Sequence, residues 1–371
     1  MMIPGLATSE GTRRFRDRLG PRAAEGHFRM HNGLWLSSLG IGTYLGNADD
    51  ATDALYEAAV ERAVEQGVNV IDSAINYRFQ RSERSIGGAL KKLIEESHAA
   101  RDEIIVSTKG GFLTPDGMMP RDPTAYFIEE YVTPGILDPD DIVGGMHCMS
   151  PRYLADQLER SRRNLGLNCI DLYYVHNPET QLDFVSRDEF LRRLKAAFEM
   201  LESALAEGKI SMYGTATWDG FRQAETARNY LSLEEIVKAA REVAGEKHHF
   251  KVIQLPYNLA MAEALVRKEQ RVAGEKRALL EAAAELGITV MASASLLQGQ
   301  VGRNLPDFIG ERLSGLDTDP QRAIQFVRST PGITTALVGM SRLAHVEENL
   351  KLVAVEPAPL DEFTKLFSAN A

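Results

Sequence analysis

Short apolar runs recur at residues 37–43, 68–72, 103–108, 169–175, 210–216, 250–255, 287–292 and 334–338, separated by longer segments of mixed polarity. In one of those segments Phe190, Leu194, Ala197, Phe198, Leu201 and Leu205 follow an i, i+4, i+7, i+8 spacing, while Arg192, Arg193, Glu199 and Glu202 fall off the stripe. At 3.6 residues per turn this puts the apolar side chains on one face of a helix. Leu154, Leu158, Ser161 and Leu165 repeat the pattern more weakly. Strand followed by helix, many times over, predicts parallel strands joined by right-handed crossovers. Eight runs match the strand count of a closed (β/α)8 barrel, although periodicity alone leaves an open doubly wound sheet possible.

Ahead of the first run, Phe28-Arg29-Met30, His31-Asn32-Gly33 and Leu34-Trp35-Leu36 read as a hairpin, with Asn-Gly supplying the positive φ values of a tight turn. Such a hairpin is expected to close the barrel floor. Residues 1–26 carry Arg13, Arg14, Arg16, Arg18 and Arg22, but Glu10, Asp17 and Glu25 break the acid-poor pattern of a transit peptide. They are expected to form a solvated arm docked loosely on a single barrel domain spanning 27–371. Residues 113–150 form a long connection. TPDGMMPRDP and TPGILDPDDIVGG punctuate it, while Tyr126, Phe127, Ile128 and Tyr131 are too apolar for a free linker. The segment is expected to pack as a rim insertion, with its aromatics forming a lid over the pocket; the alternative is packing down the outside of the barrel or in a subunit contact.

Composition narrows the partners. The 371 residues are 44% hydrophobic and 25% charged, with a formal net charge of -10 and a pI near 5.4. That balance argues against nucleic acid. No apolar run approaches a membrane span, and a secretory signal is not evident. Cys148 and Cys169 are too few for a disulfide framework, so a reducing, cytoplasmic compartment is expected. His147-Cys148 and His248-His249 lack a spaced third ligand, so no metal is expected and both pairs read as loop or surface positions. Monomer and homo-oligomer both remain open.

Four ionisable residues sit at or just beyond the ends of strand-like runs: Asp72 closes VNVID, Tyr77 follows in IDSAINY, Lys109 closes EIIVSTK and His176 closes CIDLYYVH. In a closed parallel barrel those ends meet on one rim. Taken singly, each has an ordinary structural explanation: a packing tyrosine, an Asp–Lys ion pair, a histidine capping a strand.

GVNVIDSAINY followed by RSERSIGGAL resembles the signature of the aldo-keto reductase family. IIVSTKGG resembles that family's lysine strand, and SPRYLADQLERSRRNLGLNCIDLYYVHNPE its helix-strand-histidine segment. GKISMYGTATW, VIQLPYNLA, ITVMASASLLQGQ and TTALVGMSRLAHVEENL follow in the family's order, so the likeness runs from about residue 33 to 352.

The resemblance implies a (β/α)8 barrel that reduces an aldehyde or ketone reversibly with NADPH, NADH being the less expected cofactor. Tyr77 would donate the proton, Lys109 would favour its release, Asp72 would hold Lys109, and His176 would hydrogen-bond the carbonyl oxygen. The implied cofactor contacts are Gly42, Thr43, Tyr44, Asp72, Thr217, Gln254, Ser293, Leu296, Gln298, Gly339, Ser341, Arg342, His345, Glu348 and Asn349. Tyr44, Phe79, Phe112, Asn177 and Trp218 would form the substrate pocket. Two departures stand out: Ala216-Thr217 replaces the family's Ser-Asn, and Ser293 replaces a ring that stacks on nicotinamide, leaving Trp218 or Tyr44 to compensate. The absence of a GxGxxG fingerprint suits a cofactor lying across a barrel rim. A nicotinamide-binding regulatory or scaffold barrel with negligible turnover is the alternative. A metal-dependent barrel hydrolase lacks the clustered ligands it would need.

Overall fold

The computed structural model describes residues 2–367. Its eight apolar runs become strands β1 Leu39–Gly42, β2 Val70–Asp72, β3 Ile105–Gly110, β4 Ile170–His176, β5 Ile210–Ala216, β6 Phe250–Pro256, β7 Thr289–Ser293 and β8 Ile333–Gly339. Each pairs in parallel with its neighbours, and β8 pairs with β1 to close the barrel. The principal helices between or after the strands are α1 Asp50–Glu65, α2 Arg81–Glu95, α3 Pro151–Leu165, α4 Arg187–Ala206, α5 Leu233–Ala244, α6 Leu279–Glu285, α7 Asp319–Ser329 and α8 Leu343–Asn349. The (β/α)8 barrel, rather than the open sheet, is the architecture. Among the described residues no helix is long and apolar enough to cross a membrane.

Strand alternation divides the core in two. Val70, Ile105, Leu172, Tyr174, Val252, Met291 and Leu337 point inward and fill the barrel. Ile71, Val106, Tyr173, Val175, Ile253 and Leu255 face outward and pack under the helices, where the stripe Phe190, Leu194, Phe198 and Leu201 of α4 is buried. Leu34 and Leu36 plug the floor from the hairpin Phe28–His31/Leu34–Ser37, whose turn residues Asn32 and Gly33 take φ of 48 and 78.

Three regions differ from the sequence expectation. The arm is not a loosely docked solvated chain: Ser9–Leu19 is a helix capped by the Thr8 hydroxyl, with Phe15 and Leu19 buried. Its arginines are anchors, Arg14 pairing with Asp102 at 2.7 Å, Arg18 with Glu103 at 2.7 Å, and Arg16 covering the Trp35 ring at 4.0 Å. The helix lies so close to its neighbour that a Cβ on Gly11 would meet the Asp102 carbonyl at 2.1 Å.

The insertion folds against α3 rather than over the rim. After the short helix Pro123–Phe127 the chain widens its helical turn through Ile128–Val132. Tyr131 buries itself with Leu137, Cys148 and Tyr153, stacks on Phe127 and donates its hydroxyl hydrogen to the Thr114 carbonyl at 3.0 Å. These aromatics therefore satisfy one another on the outside of the barrel, and the lid expectation is corrected. His147 and His248 lie in loops as expected, but both are buried rather than at the surface.

Candidate active site

Lys109 enters the site from the penultimate position of β3, with its side chain almost wholly excluded from solvent. Its ammonium donates to Asp72 Oδ2 at 2.6 Å and to the Ser73 carbonyl at 2.5 Å. Asp72 Oδ1 also accepts from Ser107 Oγ at 2.7 Å and from Gln254 Nε2 at 2.9 Å, so the carboxylate is held by two strands, β3 and β6, besides its own β2 position. The Lys109 ammonium lies 4.8 Å from the Tyr77 ring centroid. Burial works against that ammonium, but Asp72 and Tyr77 outweigh it and hold the lysine pKa above its ordinary value. Burial pushes the Tyr77 phenol up and the Lys109 charge pulls it down; burial prevails in the protein alone, so the phenol is protonated near neutrality.

His176 ends β4 and faces Tyr77 with ring centroids 6.0 Å apart. Burial, the Lys109 charge and His147 push its pKa well below the ordinary histidine value, so the ring is neutral. Its Nδ1 is buried without a hydrogen-bond partner. The proton is therefore better placed on Nε2, where it can be donated to a ligand.

Tyr77 is carried by an unusual turn. Arg78, Phe79 and Gln80 take successive φ values of 48, 56 and 71, a left-handed conformation that side chains other than glycine adopt at a cost of about 1 kcal/mol or more each. Arg78 offsets part of this: its guanidinium donates to Ser82 Oγ at 3.0 Å, Ser85 Oγ at 3.1 Å and Asp53 at 2.5 Å, and covers the Tyr56 ring at 4.8 Å. The same turn takes Phe79 out of the cavity wall, and its carbonyl accepts from Gly117 N–H at 2.9 Å instead. Phe79 is thus not a pocket residue.

A cavity of about 900 Å³ opens over this rim. At one end it is walled by Tyr44, Asn76, Tyr77, Phe112, His176, Asn177 and Trp218; its floor includes Gly42, Thr43, Asp72, Thr217 and Gln254. It extends past Ser293, Leu296 and Gln298 to Gly339, His345, Glu348 and Asn349. Ser341 and Arg342 lie outside its lining, at the approach to α8, with Arg342 exposed. Gln254 Nε2 and the Thr217 hydroxyl are already engaged within the protein, with Asp72 and the Gln254 carbonyl respectively. Tyr44 sits edge-on to Tyr77 at 5.0 Å, and both Tyr44 and Trp218 remain substantially exposed in the wall.

The sequence reading missed Asn76, Leu45, Ala294, Ser295, Pro320 and Arg303 as lining residues. Asn76 was legible, being a polar residue directly before Tyr77. Arg303 follows Gly302 in a turn-rich stretch with no periodicity to aim it. A second cleft of about 670 Å³, between α4 and α5 on the barrel's flank, gathers Arg187, Arg271, Glu225 and Glu235, but these pair with one another, Arg187 with Glu235 and Arg271 with Glu225. Among the described residues no group of three or more His, Cys, Asp or Glu side chains could hold a metal.

A closed parallel barrel with a tyrosine, a buried Asp–Lys pair and a neutral histidine on one rim places this chain in a defined class. Residues 38–307 match the model of the aldo/keto reductase family, and the chain belongs to that family. It is 26% identical over 346 residues to D-threo-aldose 1-dehydrogenase of a Pseudomonas species, covering 88% of this chain and 93% of the relative. A putative voltage-gated potassium channel subunit beta of Schizosaccharomyces pombe is 23% identical over 347 residues, covering 90% of this chain and 89% of the relative. The crystal structure of a Klebsiella pneumoniae aldo/keto reductase in complex with NADP and acetate shares the fold, with a TM-score of 0.62 at 20% identity over 92% of this chain and 94% of that one.

Proposed function

We propose that this protein reduces an aldehyde or ketone to an alcohol with a nicotinamide cofactor, in a reversible reaction with Tyr77 as general acid. The observation that carries the reading is Lys109, buried between Asp72 and Tyr77 where its charge bears on the phenol. When bound, the reduced nicotinamide supplies the hydride. Tyr77 gives its proton to the carbonyl oxygen as negative charge develops there, while Lys109 stabilises the phenolate left behind. Asp72 keeps the lysine charged and oriented, and His176 donates from Nε2 to the same oxygen. Phe112, Tyr44 and Trp218 wall the reacting end, from which bound substrate and cofactor would displace water.

The elongated cavity fits a dinucleotide. At its far end Asn349 Oδ1 is buried without a hydrogen-bond partner, and at the near end Asn76 Oδ1 and His176 Nδ1 are likewise unpartnered. Gly42, Thr43, Gln254, Ser293, Leu296 and Gln298 would hold the cofactor along the cleft. Gly339, Ser341, Arg342, His345, Glu348 and Asn349 would hold its adenosine end. The Arg342 side chain makes no hydrogen bond or ion pair to other described residues, which leaves it available to a 2′-phosphate and favours NADPH over NADH. The neighbour solved with NADP supports a nicotinamide cofactor without fixing that preference.

The likeness to a potassium channel subunit supports a second reading, a regulatory barrel that binds the cofactor but turns over negligibly. The intact Asp72, Tyr77, Lys109 and His176 set favours catalysis. Oxidation of NADPH by the purified protein against a panel of aldehydes and ketones, with and without a chelator, tests this: turnover above a Tyr77→Phe control is expected. Cofactor binding without turnover of any carbonyl would favour the regulatory reading.

A further inference from the structure

The insertion 113–150 contributes no lid, yet its last turn sends one buried side chain toward the site. His147 lies fully buried, pinned to the end of β3: Cys148 N–H donates to the Gly111 carbonyl at 2.8 Å, and Val143 N–H to the His147 carbonyl at 2.8 Å. Its Nε2 is 2.7 Å from the carbonyl oxygen of His176, and its Nδ1 is 2.9 Å from Gln181 Nε2.

The surrounding groups fix which nitrogen carries the proton. Arg193 of α4 donates from Nη1 to Gln181 Oε1 at 2.9 Å, so the Gln181 amide must turn its N–H toward His147. Nδ1 of His147 is then an acceptor, and the ring proton belongs on Nε2, aimed at the His176 carbonyl. Gly111 makes the approach possible: a Cβ there would meet His147 Nε2 at 2.9 Å and the His176 carbonyl at 3.0 Å, and its φ of 143 is one that few other residues adopt. Phe112 fills the angle between the two imidazoles, edge-on to His147 at 5.2 Å and to His176 at 5.0 Å.

We propose that His147 is a positioning residue through which the insertion acts on catalysis, holding the His176 carbonyl so that the His176 ring keeps its place beside Tyr77. The proposal rests on the carbonyl-reductase reading of the site. The need for such a brace is local. Asn177, at φ of 43, ends the ladder: its N–H still donates to the Ala216 carbonyl of β5 at 2.6 Å, but on the β3 side Gly111 N–H donates to Gln157 Oε1 at 2.7 Å, so the His176 carbonyl takes its hydrogen bond from His147 rather than from a strand. The route runs from Arg193 through Gln181 and His147 to His176, and each link is a hydrogen bond between groups of fixed polarity. Misplacing a reacting group by about 1 Å costs on the order of 100-fold in rate, which sets the scale of what the brace protects.

The test compares His147→Phe, which keeps a flat ring and loses both polar contacts, with His147→Gln, whose amide can donate to the His176 carbonyl and accept from Gln181. In the full-length protein, His147→Phe should lower kcat by about 10- to 100-fold with NADPH affinity unchanged, and His147→Gln should restore most of it. The Asn177 amide nitrogen, bonded to the His176 carbonyl carbon, should shift its NMR resonance in His147→Phe and return toward the parent in His147→Gln. Parent-like kcat in His147→Phe, equal losses in both variants, or an unmoved Asn177 resonance would overturn the proposal. Imidazole ¹⁵N shifts of the unaltered protein that put the His147 proton on Nδ1 would overturn it without any variant. If the parent reduces no carbonyl, the carbonyl-reductase reading fails and the catalytic claim with it, while the Asn177 and imidazole resonances separately report whether the His147–His176 link exists.

Discussion

Lys109 Nζ lies 2.6 Å from Asp72 Oδ2 with both side chains almost entirely out of solvent. Ion pairs this deeply buried do little net good for stability, but removing one partner leaves an uncompensated charge. Lys109→Met should therefore destabilise the protein by about 3–5 kcal/mol in chemical denaturation and abolish the help given to Tyr77. Adding Asp72→Asn should recover part of the stability and none of the turnover. A single variant as stable as the parent would show that the pair is hydrated rather than buried.

Arg342 is expected to set cofactor choice. Charge-assisted hydrogen bonds contribute about 1.5–3 kcal/mol, so NADPH should bind roughly ten- to a hundred-fold more tightly than NADH. Fluorescence titration of Arg342→Ala should show most of that gap closed. Equal affinities of the parent for the two cofactors would remove Arg342 from the site.

Stability should fall in acid through His27. This buried ring sits near Arg328 and Arg29 beneath the barrel, where burial and then the Arg328 charge push its pKa down to about 3. An unfolded histidine titrates at about 6.5, so between these values the unfolded chain carries the extra proton and folding weakens as pH falls. The His27 contribution is complete above about pH 6.5 and is lost at up to roughly 1.4 kcal/mol per pH unit as pH drops toward 3. In His27→Gln that component disappears, so the stability difference between parent and variant should narrow or reverse as pH is lowered from 7 to about 4.5. A difference independent of pH would mean that folding leaves the His27 pKa at its unfolded value.

The N-terminal helix should matter to the whole fold. Phe15 is buried among core residues and meets Phe28 edge-on at 6.0 Å. Phe15→Ala should cost about 3–5 kcal/mol, the usual range for emptying a buried aromatic site. Unchanged denaturation would return the arm to the loosely docked state its arginines first suggested.

What the sequence made legible follows from how local each signal is. The eight strands and the α4 stripe could be placed because burial on one face imposes a period along the chain, and Asp72, Lys109 and His176 because they terminate such strands. Phe79 was misplaced because its neighbours Arg78 and Gln80 share a left-handed turn that residues other than glycine do not announce. In the sequence the arm reads as solvated because Phe15 and Leu19 are diluted by arginines whose partners, Asp102 and Glu103, are some 85 residues or more away. The insertion's aromatics were apolar enough to predict packing, but nothing local says which surface receives them. Tyr153, which does, lies on the following helix. His147 was visible as a residue but not as a partner of His176, because that contact depends on Gly111, Gln181 and Arg193 converging in space.

Tyr77→Phe is the sharpest probe of Tyr77 as proton donor, since it removes one oxygen and leaves the ring against Lys109 and Tyr44. The measurement is kcat for the best carbonyl substrate at saturating NADPH, with NADPH Kd determined in parallel. Turnover should fall by about 10²- to 10⁴-fold, the usual worth of general acid catalysis, at nearly unchanged Kd. Turnover equal to the parent's at equal cofactor occupancy would contradict it.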